Sequence, residues 1–162
     1  MIYVRYDVYT DGACSVNKRL GGYAAIALYD GQQIVLHGNK KNATNNEMEI
    51  LAAINILHVL VTMIKPEDLV VIHSDSAYLV NAVNQRWIYS WIGNKWKTQD
   101  GKEVKNKSLW LKLFWLLNSV SRQCAEYQFI KVKGHSNCKL NNYVDRLAVK
   151  ETELLKGKQL ED

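Results

Sequence analysis

Leu69-Val70-Val71-Ile72-His73 is a short run of β-branched and apolar residues without polar alternation. A strand with one wet face alternates in polarity, whereas a strand covered on both faces does not. The run therefore predicts a central strand with helices packed on either side. Upstream, Pro66 closes an apolar segment opened by Thr44-x-x-Glu47, a capping-box pattern that predicts a helix over roughly residues 45–63. Downstream, Ser74-Asp75-Ser76 reads as a strand-to-helix turn, with helical patterns following over 77–83, 85–92 and 108–121. Residues 127–133 alternate as another strand, and 141–155 carry the stripe of a last amphipathic helix.

Towards the N-terminus, residues 3–9 place Val4, Tyr6 and Val8 on one face of a first strand that ends at Thr10-Asp11-Gly12. Two further strands, 21–29 and 33–38, are joined by the hairpin signal Asp30-Gly31. The predicted order is β-β-β-α-β-α-α-α-β-α. Three hairpin-linked strands and two fed by helical crossovers imply an α/β fold, a mixed five-stranded sheet flanked by helices.

A chain of 162 residues, 48% apolar and 23% charged, suits one domain with a core of its own. The expected division is one domain over 1–155 and a polar C-terminal tail over 156–162. Twenty-one Lys and Arg against sixteen Asp and Glu give a net charge of +5, which permits a polyanionic partner without requiring one. Five lysines (Lys95, Lys97, Lys102, Lys105 and Lys107) fall within thirteen residues around Trp96, close behind Trp87 and Trp91. Such a stretch is either a solvated charged face or an electrostatic patch with aromatic surfaces for a nucleic-acid strand. Cys14, Cys124 and Cys138 form no C-x-x-C pair, which argues against a disulfide framework or zinc site and for a reducing compartment. No apolar run reaches membrane-spanning length and no signal segment opens the chain, so the expectation is a soluble, cytoplasmic protein.

Four acids stand in unusual company. Asp11 ends an apolar strand, where capping of backbone N–H groups is one reading. Glu49 lies between Met48 and Ile50 in a helix apolar nearly all round, so it faces solvent, the helix dipole or a polar pocket. Asp75 sits among three cap-type residues, at the carboxyl end of the central strand where open α/β sheets place ligands. Asp145, between Val144 and Arg146, suits a surface ion pair with Arg146 or Lys150. If the four converge, they cannot all remain ionised without cations. Oxygen ligands without His or Cys select Mg²⁺ or Mn²⁺, and two such ions suit phosphodiester hydrolysis.

Seven ordered blocks carry a family resemblance: Thr10-Asp11-Gly12-Ala13-Cys14, Gly21-Gly22-Tyr23, Thr44-Asn45-Asn46-x-Met48-Glu49, Ser74-Asp75-Ser76-x-Tyr78, Trp96-Lys97-Thr98, Val104-Lys105-Asn106, and Val132-Lys133-Gly134-His135 with Asp145 ten residues on. From Tyr6 to about Lys150 the chain resembles type 1 ribonuclease H. The resemblance implies the ribonuclease H-like fold and an endonuclease that cuts the RNA strand of an RNA–DNA hybrid, leaving 5′-phosphate and 3′-hydroxyl ends. It implies two Mg²⁺ ions, with Mn²⁺ as a substitute, held by Asp11, Glu49, Asp75 and Asp145, with His135 assisting proton transfer or product departure. Asn17, Asn45 and Asn46 match minor-groove contacts, where 2′-hydroxyls tell RNA from DNA. Thr44 and Asn106 match a pocket for a DNA phosphate. Trp87 matches an aromatic beside the DNA strand, and Lys97 belongs to a basic protrusion over 85–107. Asn42, where relatives often carry arginine, Ala77 and Asn142 depart from the pattern without removing a metal ligand. A monomer without an obligate protein partner or a further hybrid-binding domain is expected. The competing expectation is an inactive member of the same fold that only binds nucleic acid.

Overall fold

The computed structural model describes residues 3–134 and 138–161, with side chains as far as Lys158. Its elements are β1 (Arg5–Cys14), β2 (Gly21–Tyr29), β3 (Gln32–Lys40), α1 (Asn45–Leu60), β4 (Leu69–Ser74), α2 (Ala77–Asn84), α3 (Trp87–Gly93), α4 (Lys107–Arg122), β5 (Glu126–Lys131) and α5 (Lys139–Glu161). The order of strands and helices is the one expected. The strands form one sheet in the order β3-β2-β1-β4-β5. β1–β2 and β2–β3 are antiparallel, while β1–β4 and β4–β5 are parallel. Asp30 and Gly31 both have positive φ, 46° and 73°, the backbone of the two-residue hairpin turn expected there.

Alternation along β1 assigns its two faces. Tyr6 and Val8 join Val70, Ile72 and Phe129 in the larger core, under Ile50 and Leu57 of α1, Leu79 of α2, and Trp110 and Leu113 of α4. Tyr9 and Ala13 turn the other way, into a smaller cluster where Ala24 and Ile26 of β2 meet Val144 and Ala148 of α5. The central strand is covered as its unbroken apolar run predicted: Val70, Val71 and Ile72 are all fully buried.

Glycine permits both close approaches that bring helices to the sheet. A Cβ on Gly22 would overlap the carbonyl oxygen of Ala148, so α5 lies directly on β2 only because that position has no side chain. A Cβ on Gly12 would stand 2.6 Å from the backbone nitrogen of Glu49, so glycine lets the first turn of α1 reach β1.

The three largest differences from the expected boundaries have physical reasons. β1 does not stop at Thr10: pairing with β2 continues from Asp11↔Ala24 to Cys14↔Gly21, which no apolar alternation announces. α1 ends at Leu60 rather than Met63, where β-branched Val61 and Thr62 continue as a turn. α5 runs on to Glu161, through the residues assigned to a polar tail, because Lys, Gln, Leu and Glu there are helix formers and no proline intervenes. No helix among the described residues is long and apolar enough to cross a membrane.

Candidate active site

Strand pairing brings the first two acids together. The parallel ladder of β1 with β4 ends at Thr10↔Ser74, so one further step along each chain sets Asp11 beside Asp75. α1 approaches across Gly12 and delivers Glu49, and carboxylate oxygens of Asp11, Glu49 and Asp75 lie within 4.8 Å of one another. Asp145, on α5 against the opposite face, lines the same cleft, and its charge adds to those that raise the Asp11 carboxyl. Four acids from four elements thus converge.

The ordinary readings of these acids do not account for them. α2 is capped by Ser76, whose Oγ accepts the Leu79 N–H at 3.1 Å, so Asp75 is not needed as its cap. Asp145 forms no ion pair with Arg146 or Lys150; the four ion pairs among the described residues involve none of these acids. Glu49 is only 3% exposed and so does not face solvent. Thr44 caps α1, its Oγ1 accepting the Glu47 N–H at 3.2 Å, and the Glu47 carboxylate pairs with Lys40. Asp11 does accept the Gly12 N–H at 2.9 Å through Oδ1, but its Oδ2 and the Oε2 of Glu49 are buried without any hydrogen-bond partner.

Buried acceptors without donors are costly, and like-charged ones more so. Burial first, then the charge of Asp75, pushes the Asp11 carboxyl up to about 8. Glu49 is pushed well above the usual carboxylate range by burial, and further by Asp11 and Asp75. The donor set is hard oxygen only, and a divalent cation fits it: such an ion would satisfy the orphaned oxygens and reverse the electrostatic penalty.

A stability test follows. The folded, metal-free chain keeps on Asp11 a proton that the unfolded chain releases near 3.8. Linkage then makes metal-free stability fall as pH rises from about 4 to about 8, with the penalty complete above that window and absent below it. Asp11→Asn removes this carboxylate. In chelator its melting temperature should exceed that of the unaltered chain by several degrees near the upper end, the gap closing towards the lower end. Thermal melts across that range check it, and a gap independent of pH would contradict it.

The other expected residues fall into three adjoining clefts. Asn45 and Asn46 line the carboxylate cleft, of about 350 Å³. Thr44 and Asn106 line a second, of about 730 Å³, which shares Asn46 and Tyr78 with the first. Trp87 and Lys97 line a third, of about 750 Å³, which shares Trp91 and Thr98 with the second. Asn17 stands exposed on the turn after β1, outside all three, and His135 lies outside the described residues. Tyr78 was not expected as a site residue. It stands where the first two clefts meet, with its hydroxyl 3.2 Å from Trp110 Nε1 and 3.5 Å from Asn106 Nδ2. Its signal was the place one helical turn beyond Asp75.

Comparisons with known proteins agree with this geometry. The RNase H family model matches residues 4–153. A ribonuclease H of Caldicellulosiruptor saccharolyticus is 46% identical over 141 residues, 87% of this chain and 91% of that protein. A ribonuclease H of Acetivibrio thermocellus is 44% identical over 147 residues, 91% of this chain and 94% of that one. Among solved structures, LC9-RNase H1, a type 1 RNase H with the type 2 active-site motif, superposes with a TM-score of 0.73 at 24% identity, covering 94% of this chain and 74% of that chain. LC11-RNase H1, solved in complex with an RNA/DNA hybrid, gives 0.64 at 18% identity, covering 93% and 98%. The structural likenesses speak for the fold and the sequence relatives for the lineage: this chain belongs to the ribonuclease H family of nucleases.

Proposed function

We propose that the chain is an endonuclease that hydrolyses the RNA strand of RNA–DNA hybrids, with Asp11, Glu49, Asp75 and Asp145 holding two Mg²⁺ ions that Mn²⁺ can replace. The observation that carries this reading is the convergence of carboxylates from β1, α1 and the end of β4 around buried oxygens that lack a donor. When bound, the ions supply an activated water and neutralise charge on the phosphate and the leaving 3′-oxygen, which yields 5′-phosphate and 3′-hydroxyl ends.

The chain's own groups do the rest. The carboxylates fix where the scissile phosphate sits. Asn45 and Asn46, exposed on the first turn of α1 at the rim of that cleft, offer amides that both donate to and accept from 2′-hydroxyls in the minor groove. Asn17 extends the same contact from the neighbouring turn. Thr44 and Asn106 hold a phosphate of the DNA strand, and Trp87 and Lys97 support that strand along the third cleft. Cleavage of a labelled hybrid tests the proposal: it should proceed with Mg²⁺ and stop in chelator, whereas persistence in chelator would overturn the metal assignment.

His135 follows β5 in Gly134-His135-Ser136, and its neighbour Gly134 already approaches Asp75, whose Oδ2 would stand 3.4 Å from a Cβ built there. An imidazole of ordinary pKa near neutrality can carry a proton to or from the reacting groups. His135→Ala should therefore lower turnover by roughly 10- to 1000-fold, the scale of a lost proton-transfer group. Turnover and hybrid affinity measured together decide it. Unchanged turnover would remove the role, and lost affinity would make His135 a substrate contact instead.

A further inference from the structure

The cleft beside the carboxylates carries three cations, Arg19, Lys102 and Lys105. Of the two acids that share it, Glu47 is already engaged by Lys40, which leaves Glu103 alone against three positive charges. Among the described residues, the side chains of Arg19, Lys102 and Lys105 take part in no hydrogen bond or ion pair. The cleft is thus a net-positive hollow whose cations are unspent.

Arg19 differs from the two lysines in how it is held. They stand on the segment between α3 and α4, whereas Arg19 closes the cleft from the loop between β1 and β2. Three backbone hydrogen bonds of 2.9 Å fasten that loop: Ser15 N–H to the Leu20 carbonyl, Arg19 N–H to the Ser15 carbonyl, and Ala43 N–H to the Arg19 carbonyl. The last ties Arg19 directly to the residue before Thr44. Its φ is 52°, a left-handed conformation that long side chains seldom adopt. The backbone is therefore pinned beside the cleft while the guanidinium stays exposed and uncommitted.

A planar guanidinium, two ammonium groups, and a hydroxyl and an amide from Thr44 and Asn106, all lining one cleft, suit the non-bridging oxygens of a phosphodiester. We propose that Arg19 is a substrate-binding residue that grips a backbone phosphate of the bound duplex. The proposal rests on the nuclease reading above. It assigns Arg19 affinity and register and no part in the chemistry.

Arg19→Gly tests it, because glycine accepts the left-handed backbone and removes only the side chain. Its melting temperature should match or exceed that of the unaltered chain. At subsaturating hybrid and near-physiological salt, kcat/KM should fall about 3- to 10-fold, and its logarithmic dependence on salt should become shallower by about 1. Arg19→Lys should restore the salt dependence and part of the efficiency. A folded Arg19→Gly with the original efficiency and salt dependence would overturn the proposal, as would a loss that salt does not alter. Failure of the unaltered chain to cut any hybrid would sink the nuclease reading along with it. Normal cutting that ignores Arg19 would sink this inference alone.

Discussion

Asp75→Asn is expected to lose hybrid cleavage by on the order of 1000-fold or more, the scale on which removal of one member of a catalytic set acts. The amide keeps the shape of the carboxylate but offers a weak neutral ligand where a hard anionic one stands. The fold should survive. Asp75 lies just past the last residue of β4, and neither the cap of α2, made by Ser76, nor the ladder with β1, which ends at Ser74, depends on its charge. Turnover at fixed Mg²⁺, beside a circular-dichroism melt, checks both halves. Near-normal turnover would remove Asp75 from the metal set, and a collapsed melt would make its role structural.

The second large effect is substrate discrimination. If Asn45 and Asn46 read 2′-hydroxyls from the rim of the carboxylate cleft, recognition needs a duplex with one RNA strand and hardly registers base identity. An RNA–DNA hybrid should therefore be cut at many positions, under conditions in which duplex DNA and single-stranded RNA remain intact. Matched oligonucleotides of one sequence, resolved by electrophoresis after a common incubation, provide the comparison. Cutting of duplex DNA at a comparable rate would show that the cleft does not discriminate by the 2′-hydroxyl.

Much of this was legible in the sequence because the signals are local. The unbroken apolar run at 69–73, the Asp30-Gly31 turn and the Thr44 cap each depend on neighbours a few residues away, and each appears in the structure as read. The extension of β1 to Cys14 was not legible, since pairing with a distant strand keeps Thr10, Asp11 and Gly12 extended where alternation has already lapsed. That extension matters: it puts Asp11 inside the sheet and 3% exposed, rather than on a loose strand end. The ion pair considered for Asp145 failed for a similar reason, because packing of α5 on β2, permitted by Gly22, turns Asp145 towards Asp11. Tyr78 and Arg19 escaped notice because what makes them interesting is which cleft they line, a property of the assembled fold. Lys97 and Trp87, by contrast, stood out in a local cluster of lysine and tryptophan and through the family resemblance, and do share a cleft.

Paramagnetic broadening by Mn²⁺ tests, without recourse to activity, the divalent-metal site proposed for Asp11, Glu49, Asp75 and Asp145. In amide NMR spectra of the isotopically labelled chain, substoichiometric Mn²⁺ should first extinguish the resonances of Gly12, Glu49 and Ser76, the backbone nearest the converging carboxylates. Excess Mg²⁺ should restore them, and Asp75→Asn should weaken the effect. Broadening centred anywhere else, or its survival unchanged in Asp75→Asn, would contradict a metal site at these carboxylates.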